Sequence, residues 1–280
     1  MINDQSINNK NNKDFYVIIP ARMNSVRLKH KMLLPVGDLP LVVYTAKNAQ
    51  KSNAKKVVVA TDHIDIANAC KEHKIDFVMT KEDHISGTDR IAEASKILNI
   101  SKNSIVINVQ GDEPLMNYKL INQLAEFTSK SNTPVATIAS YMRDINDLYN
   151  PNIVKLVLDK NQHAIYFSRA NIPFFRDFNL AYNINNNSTE EYKTAQLNEY
   201  NKYKHLLFRH LGIYAYQCEF LQNYSQLEKS EIEDLEKLEQ LRVLYNSYKI
   251  AVLLDNGIAY SGVDTIEDLN FVNSLIQQKT

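Results

Sequence analysis

Glycine is scarce in this sequence, and its scarcity argues against two common nucleotide-binding loops. Only six glycines occur in 280 residues. None of them belongs to a Gly-rich dinucleotide fingerprint or to a Walker-type phosphate loop. NAD chemistry and P-loop phosphoryl transfer are therefore disfavoured. Four of the glycines flank polar clusters, where backbone freedom or close approach to a ligand is useful: Gly87, Gly111, Gly212 and Gly262.

Cysteine is equally rare, because only Cys70 and Cys218 are present and they lie far apart in the chain. Two such residues support neither a disulfide framework nor a zinc cage. A reducing compartment fits this usage. Both thiols are predicted to be inert and buried in the core.

The chain has no net charge and no long apolar run. Thirty-two basic residues balance thirty-two acidic ones, so nothing favours nucleic acid or an anionic membrane as a partner. No run reaches the roughly 18 apolar residues of a membrane span. The polar segment 1–14 lacks the apolar core of a signal peptide. We therefore expect a cytoplasmic protein with a short disordered tail at 1–14.

Apolar strands alternate with helices through the first half of the chain. Strands that are apolar throughout, rather than at every second residue, are typical of a parallel sheet covered on both faces. This pattern predicts a doubly wound α/β fold. The predicted strands are 15–19, 57–60, 77–79, 105–109 and 135–140, and the predicted helices are 40–52, 64–73, 88–98 and 117–129. Asp62 is expected to cap the helix 64–73.

The second half is less regular and predicts a smaller mixed part. Strands are expected at 154–158, 164–168 and 212–216, and helices at 232–245 and 266–276. The asparagine-rich segment 178–204 has little apolar content and is predicted to be a mobile loop. We expect one domain over 15–280.

The most informative stretch ends the predicted strand at 105–109. It continues as Gln110-Gly111-Asp112-Glu113-Pro114. In open parallel sheets, ligands bind beyond the carboxyl ends of the strands. A carboxylate there can hold a divalent cation against phosphates. An ordinary acidic turn is the alternative, since Gly, Asp and Pro are turn formers.

The loop after the first strand is basic in an otherwise neutral protein. Guanidinium and ammonium groups suit a polyphosphate, and the loop lies at the same predicted sheet edge as Asp112. The alternative is a solvated basic loop. The basic residues are Arg22, Arg27, Lys29 and Lys31.

A third polar cluster occupies residues 84–90, which read His-Ile-Ser-Gly-Thr-Asp-Arg. Ser86 or Thr88 could cap the helix that follows. The start of that helix could instead bind an anion or the edge of a base. The residues alone leave both readings open.

These pieces, in this order, resemble the 3-deoxy-manno-octulosonate (Kdo) cytidylyltransferase family over residues 15–274. The first motif is shared by many sugar nucleotidyltransferases, whereas the later ones are far more specific. The motifs are Pro20-Ala21-Arg22 with Ser25, Arg27-Leu28, Lys31 and Leu33; Ala60-Thr61-Asp62; His84 with 86–90; 108–114; 154–155 with Asp159; 166–169 with Ile172-Pro173 and Arg176; 210–214; 238–242; and 262–265 with Asp268-Leu269. One departure is His30, which stands where the family usually has glycine.

The resemblance implies a nucleotide-diphospho-sugar transferase-like fold and a cytidylyltransferase that joins CTP to Kdo for lipopolysaccharide synthesis. It implies that Asp112 and Asp264 hold Mg²⁺, and that Arg22 and Lys31 act in catalysis by neutralising the triphosphate. It also implies a homodimer formed by the smaller part. The nucleotide-binding set that follows is Ala21, Arg22, Arg27, Lys31, Ser86, Arg90 and Gln110.

A sugar acid needs a cation for its carboxylate and polar groups for its hydroxyls. The resemblance places such side chains at the sugar: Arg169, His210, Tyr214, Glu239 and Gln240. Without it, His210 and Tyr214 read as core residues, and Glu239 and Gln240 as a solvated helix face.

Two other functions stay open at the level of sequence. One is a cytidylyltransferase for another acidic sugar, such as 8-amino-Kdo or a sialic-type acid. The other is a non-catalytic homologue that senses a nucleotide sugar. The second is disfavoured because Asp112, Asp264, Arg22 and Lys31 are all present.

Overall fold

The computed structural model describes residues 13–25, 27–177, 190–257 and 262–278. The strands are β1 (Phe15–Ala21), β2 (Pro35–Val36), β3 (Leu39–Pro40), β4 (Lys56–Thr61), β5 (Asp76–Met79), β6 (Ile105–Asn108), β7 (Val135–Tyr141), β8 (Lys155–Leu158), β9 (Ala164–Ser168), β10 (Phe208–Gln217) and β11 (Ile250–Asp255). The helices are α1 (Leu41–Ala49), α2 (Ile64–Glu72), α3 (Gly87–Ile97), α4 (Tyr118–Lys130), α5 (Ile145–Tyr149), α6 (Glu190–Tyr203), α7 (Cys218–Asn223), α8 (Glu231–Glu236), α9 (Leu241–Tyr245) and α10 (Ile266–Gln277).

Contacts divide the chain into two compact units. The first comprises Met1–Pro134, Tyr214–Ser225 and Tyr260–Thr280, and the second comprises Val135–Ile213 and Gln226–Ala259. Strand β10 therefore contributes residues to both units. These contacts do not test whether residues 15–280 fold as the one domain predicted from sequence. That statement stays a prediction.

The first unit is built on a sheet whose central strand is β1. Strands β4 and β6 flank β1 in parallel, β5 continues the sheet in parallel beside β4, and the last residues of β10 pair antiparallel with β6. Val17, Ile18 and Ile19 in β1 are fully buried, as a strand covered on both faces must be. The predicted mostly parallel sheet is confirmed here, and the carboxyl ends of β1, β4, β5 and β6 share one edge.

The second unit combines a parallel and an antiparallel pair. Strand β11 lies parallel to β7, and β8 forms an antiparallel pair with β9. The first residues of β10 pair with β8. A satellite core packs beside these strands and contains Met142, Leu148, Phe175, Tyr200 and Leu207. The predicted smaller mixed part is confirmed in this unit.

Part of the segment 178–204 is a helix, so the predicted mobile loop is wrong for residues 190–203. Helix α6 covers them. Its Tyr200 hydroxyl donates to the Met142 carbonyl at 2.9 Å, and Tyr192 and Tyr203 pack against the same cluster. The segment was predicted to be a loop because it is rich in asparagine, but these tyrosines supply enough apolar surface to pack the helix. Residues 178–189, like 1–12 of the predicted tail, lie outside the described residues.

Two further predictions needed correction. Helix α2 is capped by His63, whose ring accepts from the Asp65 amide, and not by Asp62 as predicted. The predicted helix 232–245 is two short helices, because Lys237 adopts a left-handed conformation with φ 54° and ends α8. Both predicted buried thiols, Cys70 and Cys218, are buried. Among the described residues, no helix is both long and apolar enough to cross a membrane.

A buried ion pair closes the bend between α8 and α9. Arg242 Nε and Nη2 donate to the two carboxylate oxygens of Glu233 at 2.8 and 2.6 Å, and both side chains are no more than 6% exposed. A bidentate pair of this kind fixes geometry more strongly than a single contact. It therefore sets the conformation of the intervening segment, which carries Glu239 and Gln240.

We expect Arg242→Met to lower the free energy of unfolding by about 3–5 kcal/mol, because Glu233 would stay charged and buried without its partner. Urea denaturation measures the loss. The double variant Glu233→Leu/Arg242→Met serves as the control and should recover most of it, since neither charge is then buried. A loss below about 1 kcal/mol in the single variant would contradict this account.

Candidate active site

The first part of the site lies where β1 and β6 end. Ala21, the last residue of β1, is almost fully buried. After β6 the chain turns at Gly111, where an added Cβ would lie 3.0 Å from both the Pro20 carbonyl oxygen and Met32 Sδ. The absence of a side chain lets this turn pass close to β1. The turn delivers Asp112 to the sheet edge that the sequence predicts.

Asp112 and Asp264 converge on the ammonium group of Lys31. Lys31 Nζ lies 2.5 Å from Asp112 Oδ2 and 2.9 Å from Asp264 Oδ1. Arg27 contacts the other Asp264 oxygen, Oδ2, at 2.9 Å. The predicted convergence of the two aspartates is therefore observed. The position of Lys31 directly between them was not predicted, because the resemblance assigned this lysine to the triphosphate.

Backbone contacts hold the two carboxylates in register. The Val263 amide donates to the Asp112 carbonyl at 2.8 Å. Helix α10 begins directly after Asp264 with a capping box between Thr265 and Asp268. The Asp268 carboxylate also accepts from the Asp264 amide at 3.0 Å. The start of the helix therefore orients Asp264, while the neighbouring residue ties it to Asp112.

The Lys31 side chain is placed by a tight turn. His30 precedes it with φ 54°, in the left-handed region. The family usually has glycine at this position, and glycine adopts that conformation most easily. His30 keeps the glycine-like backbone, so this departure from the family pattern leaves the turn intact. Lys31 then begins a 3-10 helix, Lys31–Leu33.

The charges at this site act strongly on one another. Burial lowers the pKa of Lys31, but Asp112 and Asp264 outweigh it, so the pKa lies above its ordinary value. Burial, and then the charges of Asp112 and Asp264, raise the pKa of Glu113 to about 8. Glu113 Oε2 is buried and has no hydrogen-bond partner among the described residues. The sequence assigned Glu113 no role, although its place beside Asp112 was the available signal.

The donor set suits Mg²⁺. Two carboxylates that already share one cation offer hard oxygen ligands, and Mg²⁺ is commonly held by one or two carboxylates with phosphates and water completing its shell. Within the described part of the chain, no group of three or more His, Cys, Asp or Glu side chains could hold a metal ion. A metal held by these two carboxylates would therefore need other ligands, such as phosphate oxygens or water, to complete its shell.

Two residues of the predicted nucleotide-binding set, Ser86 and Arg90, make contacts that stabilise the fold. Ser86 caps α3 by accepting from the Asp89 amide at 3.0 Å, which confirms the capping alternative. Arg90 is 3% exposed, and its Nη1 and Nη2 donate at 2.6 Å to Thr80 Oγ1 and Asp62 Oδ2. These bonds tie the loops after β4 and β5 to α3. Direct contact of Ser86 and Arg90 with a nucleotide stays a prediction.

Other members of the predicted nucleotide set are more accessible. Arg22 and Arg27 are exposed at the end of β1 and in the loop beyond it. Gln110 is half-buried, and its amide nitrogen lies 3.5 Å from Asn108 Oδ1, which is a weak contact. All three lie in the first unit. Their contacts with a nucleotide also stay predictions.

The predicted sugar residues lie mainly in the second unit, where Arg169 is held by backbone carbonyls. Its Nε donates to the Glu236 carbonyl at 2.8 Å and its Nη1 to the Pro151 carbonyl at 3.0 Å. The Glu236 carboxylate accepts from the Arg169 amide at 2.9 Å. Fully buried Lys155 donates to the Arg169 carbonyl at 2.6 Å. The sequence did not single out Glu236, and gave Lys155 no role beyond its place in a motif.

His210 is a neutral hydrogen-bonding group in this structure. The Thr137 hydroxyl donates to the Ile213 carbonyl at 2.7 Å, so its oxygen accepts from His210 Nε2 at 3.0 Å. The Phe167 ring meets the imidazole edge to face. Burial lowers the pKa of His210 to about 3. The groups named around the ring are uncharged, so nothing among them compensates for protonation.

The remaining predicted sugar residues divide between the units. Gln240 is buried just before α9, and its amide nitrogen has no hydrogen-bond partner among the described residues. Glu239 precedes it in the same bend. Helix α9 packs on β9, which leads into Arg169. Tyr214 belongs to the first unit, where it is buried on β10 opposite Asn108 and stacks on Tyr216.

We expect the stability of the protein to fall below pH 6.5 through His210. A folded-state pKa of about 3 lies below the unfolded value of 6.5, so the unfolded state binds the proton first. Stability is therefore unaffected above pH 6.5 and declines between pH 6.5 and 3. At about pH 5 the loss is about 2 kcal/mol.

Urea denaturation of the wild type and His210→Gln at pH 7 and pH 5 measures this effect. Glutamine keeps a nitrogen donor for Thr137 but does not titrate. The wild type should lose about 2 kcal/mol more than the variant between the two pH values. Equal pH dependence in the two proteins would show that His210 is not responsible.

Comparison with known proteins bears on the fold and the family. Residues 16–250 match the sequence profile of the family described as cytidylyltransferase. A solved structure of CMP:2-keto-3-deoxy-manno-octonic acid synthetase complexed with CTP shares 32% identity and a TM-score of 0.78, covering 95% of this chain and 100% of that one. A 4-diphosphocytidyl-2C-methyl-D-erythritol synthase from Anaerococcus prevotii, 12% identical with a TM-score of 0.59, shares the fold. The predicted nucleotidyltransferase-like α/β fold is confirmed.

Sequence relatives extend over nearly the whole chain. The 3-deoxy-manno-octulosonate cytidylyltransferase of Neisseria meningitidis serogroup C is 47% identical over 94% of this chain and 98% of its own length. The enzyme of the same name from Polynucleobacter necessarius is 45% identical over 94% of this chain and 96% of its own length. This chain therefore belongs to the cytidylyltransferase family, and within it to the 3-deoxy-manno-octulosonate cytidylyltransferases.

Proposed function

We propose that this protein joins CTP to 3-deoxy-manno-octulosonate, giving CMP-Kdo and pyrophosphate. The observation that carries the proposal is the convergence of Asp112, Asp264 and Lys31 at the sheet edge where α/β proteins bind nucleotides. Relatives at 45–47% identity bear the name of this activity. A structural neighbour that shares the fold throughout was solved with CTP.

The reaction asks for positioning and charge neutralisation. The anomeric oxygen of Kdo forms a bond to the α-phosphorus of CTP, and the bond from that phosphorus to the pyrophosphate oxygen breaks. Pyrophosphate leaves with the electron pair, and the sugar hydroxyl loses its proton. Negative charge lies on phosphate oxygens throughout, so cations placed against those oxygens favour the transition state. Arg22, Arg27 and Lys31 supply those cations in the first unit.

Mg²⁺ is part of this proposal. Asp112 and Asp264 would hold it, since their oxygens already meet around one cation. Bound Mg²⁺ supplies further charge neutralisation and orientation of the phosphate oxygens. The two aspartates keep these ligand oxygens together through the Val263 contact and the α10 capping box.

The second unit supplies groups that match a sugar acid. Arg169 offers a cation for the carboxylate, held in place by its bonds to the Glu236 and Pro151 carbonyls. His210 is neutral near pH 7 and therefore serves as a hydrogen-bond partner rather than a charge. The buried Gln240 amide offers a donor to a hydroxyl. Glu239 of the same unit and Tyr214, which belongs to the first unit, complete the proposed set.

Three broader properties follow from the same proposal. The product would serve lipopolysaccharide synthesis, and the enzyme would act in the cytoplasm as a homodimer. Ile165 on β9, Leu235 on α8 and Tyr245 on α9 are exposed apolar side chains of the second unit that a second copy would cover. Light scattering on the purified protein would decide between monomer and dimer.

A substrate panel tests the function itself. The protein is incubated with CTP, Mg²⁺ and Kdo, 8-amino-Kdo or a sialic acid, and released pyrophosphate is measured. Kdo should give the highest kcat/KM, and ATP should be used far less well than CTP, because a purine would leave buried polar groups unpaired at about 1–3 kcal/mol each. Higher kcat/KM for another acid would reassign the substrate. No turnover with any acid would indicate a non-catalytic homologue.

The aspartate pair provides a second test. Asp112→Asn and Asp264→Asn keep shape but each removes a negative charge, and each should lower kcat at least about a hundredfold. Because both act on one metal, the double variant should lose less than the product of the single losses. Asp76→Asn, on the exposed start of β5, is the matched control and should behave as wild type.

Circular dichroism on each variant confirms that the fold is retained. Fully multiplicative losses in the double variant would mean that the aspartates act independently, which contradicts a shared metal. Near-normal kcat in either single variant would remove that residue from the proposed machinery.

A further inference from the structure

Lys31 occupies the place between the two carboxylates that the proposed function gives to a divalent cation. Its ammonium touches Asp112 Oδ2 and Asp264 Oδ1 at 2.5 and 2.9 Å. The lysine side chain is only 9% exposed, whereas the aspartates are 24% and 37% exposed. Solvent therefore screens this contact less than it screens an ordinary surface ion pair.

The ammonium and a divalent cation compete for the same oxygens. Each carboxylate oxygen that accepts from Lys31 is a ligand atom that a metal would need. A doubly charged ion placed beside the ammonium would also repel it over a few ångströms. Arg27 adds a second positive charge at Asp264 Oδ2. Both oxygens of Asp264 and one oxygen of Asp112 are therefore occupied, and a metal that uses the two oxygens now held by Lys31 must displace it.

Lysine is well suited to such a move. Its ammonium is a compact point charge on a flexible four-carbon stem, so it can exchange one anionic partner for another without a rearranged backbone. Lys31 follows the exposed basic loop that begins at Arg22. The triphosphate of CTP would offer the ammonium a new anionic partner close to the old one.

We propose that Lys31 is a resident cation that keeps the metal site closed until CTP arrives, so that CTP and the metal bind cooperatively. This inference rests on the proposed function and adds a role for Lys31 beyond neutralising the triphosphate. Binding free energies are reciprocal, so CTP must raise metal affinity by the same factor by which the metal raises CTP affinity. Lys31 is the group through which that coupling passes.

The test measures Mn²⁺ binding to the CTP-free protein by electron paramagnetic resonance, with Mn²⁺ standing in for Mg²⁺. Lys31→Met should bind Mn²⁺ at least about tenfold more tightly than wild type, because the competing charge is gone. The same variant should bind CTP more weakly, because a phosphate partner is lost. A lysine that only contacts phosphate would lose CTP affinity on substitution without gaining Mn²⁺ affinity. The gain in Mn²⁺ affinity therefore identifies the proposed role.

Two controls isolate the cause. Lys47→Met makes the same change of net charge on the exposed side of α1 and should leave Mn²⁺ affinity within about twofold of wild type. Lys31→Arg keeps a positive charge and should not gain Mn²⁺ affinity. Adding Asp112→Asn to Lys31→Met should abolish the gain. A gain that persists without Asp112 places the metal elsewhere and overturns the proposal.

Thermal unfolding gives an independent reading. Without metal, Lys31→Met leaves Asp112 and Asp264 facing each other, so its melting temperature should fall below that of wild type. Saturating Mn²⁺ should raise the melting temperature of the variant more than that of wild type. Equal Mn²⁺ affinity in Lys31→Met and wild type would overturn the inference. Turnover of CTP and Kdo by wild type, measured in parallel, would leave the proposed function standing in that case.

Discussion

The contact between Lys31, Asp112 and Asp264 is the interaction on which the rest of the first unit depends. Lys31 lies 81 positions from Asp112 and 233 positions from Asp264 in the chain, so no local structure can bring the three residues together. Strand β6 delivers Asp112, a left-handed turn at His30 delivers Lys31, and the capping box of α10 delivers Asp264. One cation shared by two carboxylates is also the simplest arrangement that a metal could take over. The same carboxylate oxygens therefore stabilise the folded chain and are the atoms that would bind a metal.

The cations of the second unit are held in a different way. Arg169 and Lys155 donate to backbone carbonyls, and Arg242 forms a buried bidentate pair with Glu233. Such contacts give each group one position, because breaking them would strand buried polar atoms. A fixed cation suits recognition of a sugar acid, which needs a rigid template. Lys31, the cation that we propose exchanges partners, is held instead by two carboxylates.

The order of elements in the first unit could be predicted from sequence because buried parallel strands leave continuous apolar runs. Strand β10 was predicted only at 212–216, since Arg209 and His210 interrupt its apolar pattern, yet it runs from Phe208. Residues 232–245 were predicted as one helix although they form two. The break is at Lys237, whose left-handed conformation is usually signalled by glycine and not by lysine. The spacing of apolar residues cannot show where a helix ends when one residue with an unusual φ angle ends it.

The convergence of Asp112 and Asp264 was predictable, because the resemblance joined two distant acidic turns in one site. The structure adds that Lys31 lies between them, a consequence of electrostatics that residue types alone do not give. His210 shows the same limit, since its sequence motif does not reveal that Thr137 accepts from Nε2 or that burial lowers its pKa to about 3. The sequence therefore predicts which residues belong to the site, whereas only the structure shows which groups each of them contacts.

The most direct test of this account is a crystal structure with Mg²⁺ and a non-hydrolysable CTP analogue. The account predicts one metal ion bound by both Asp112 and Asp264, with the Lys31 ammonium moved from the carboxylates to a phosphate oxygen. A structure in which Lys31 still bridges the two aspartates while the metal lies elsewhere would contradict it.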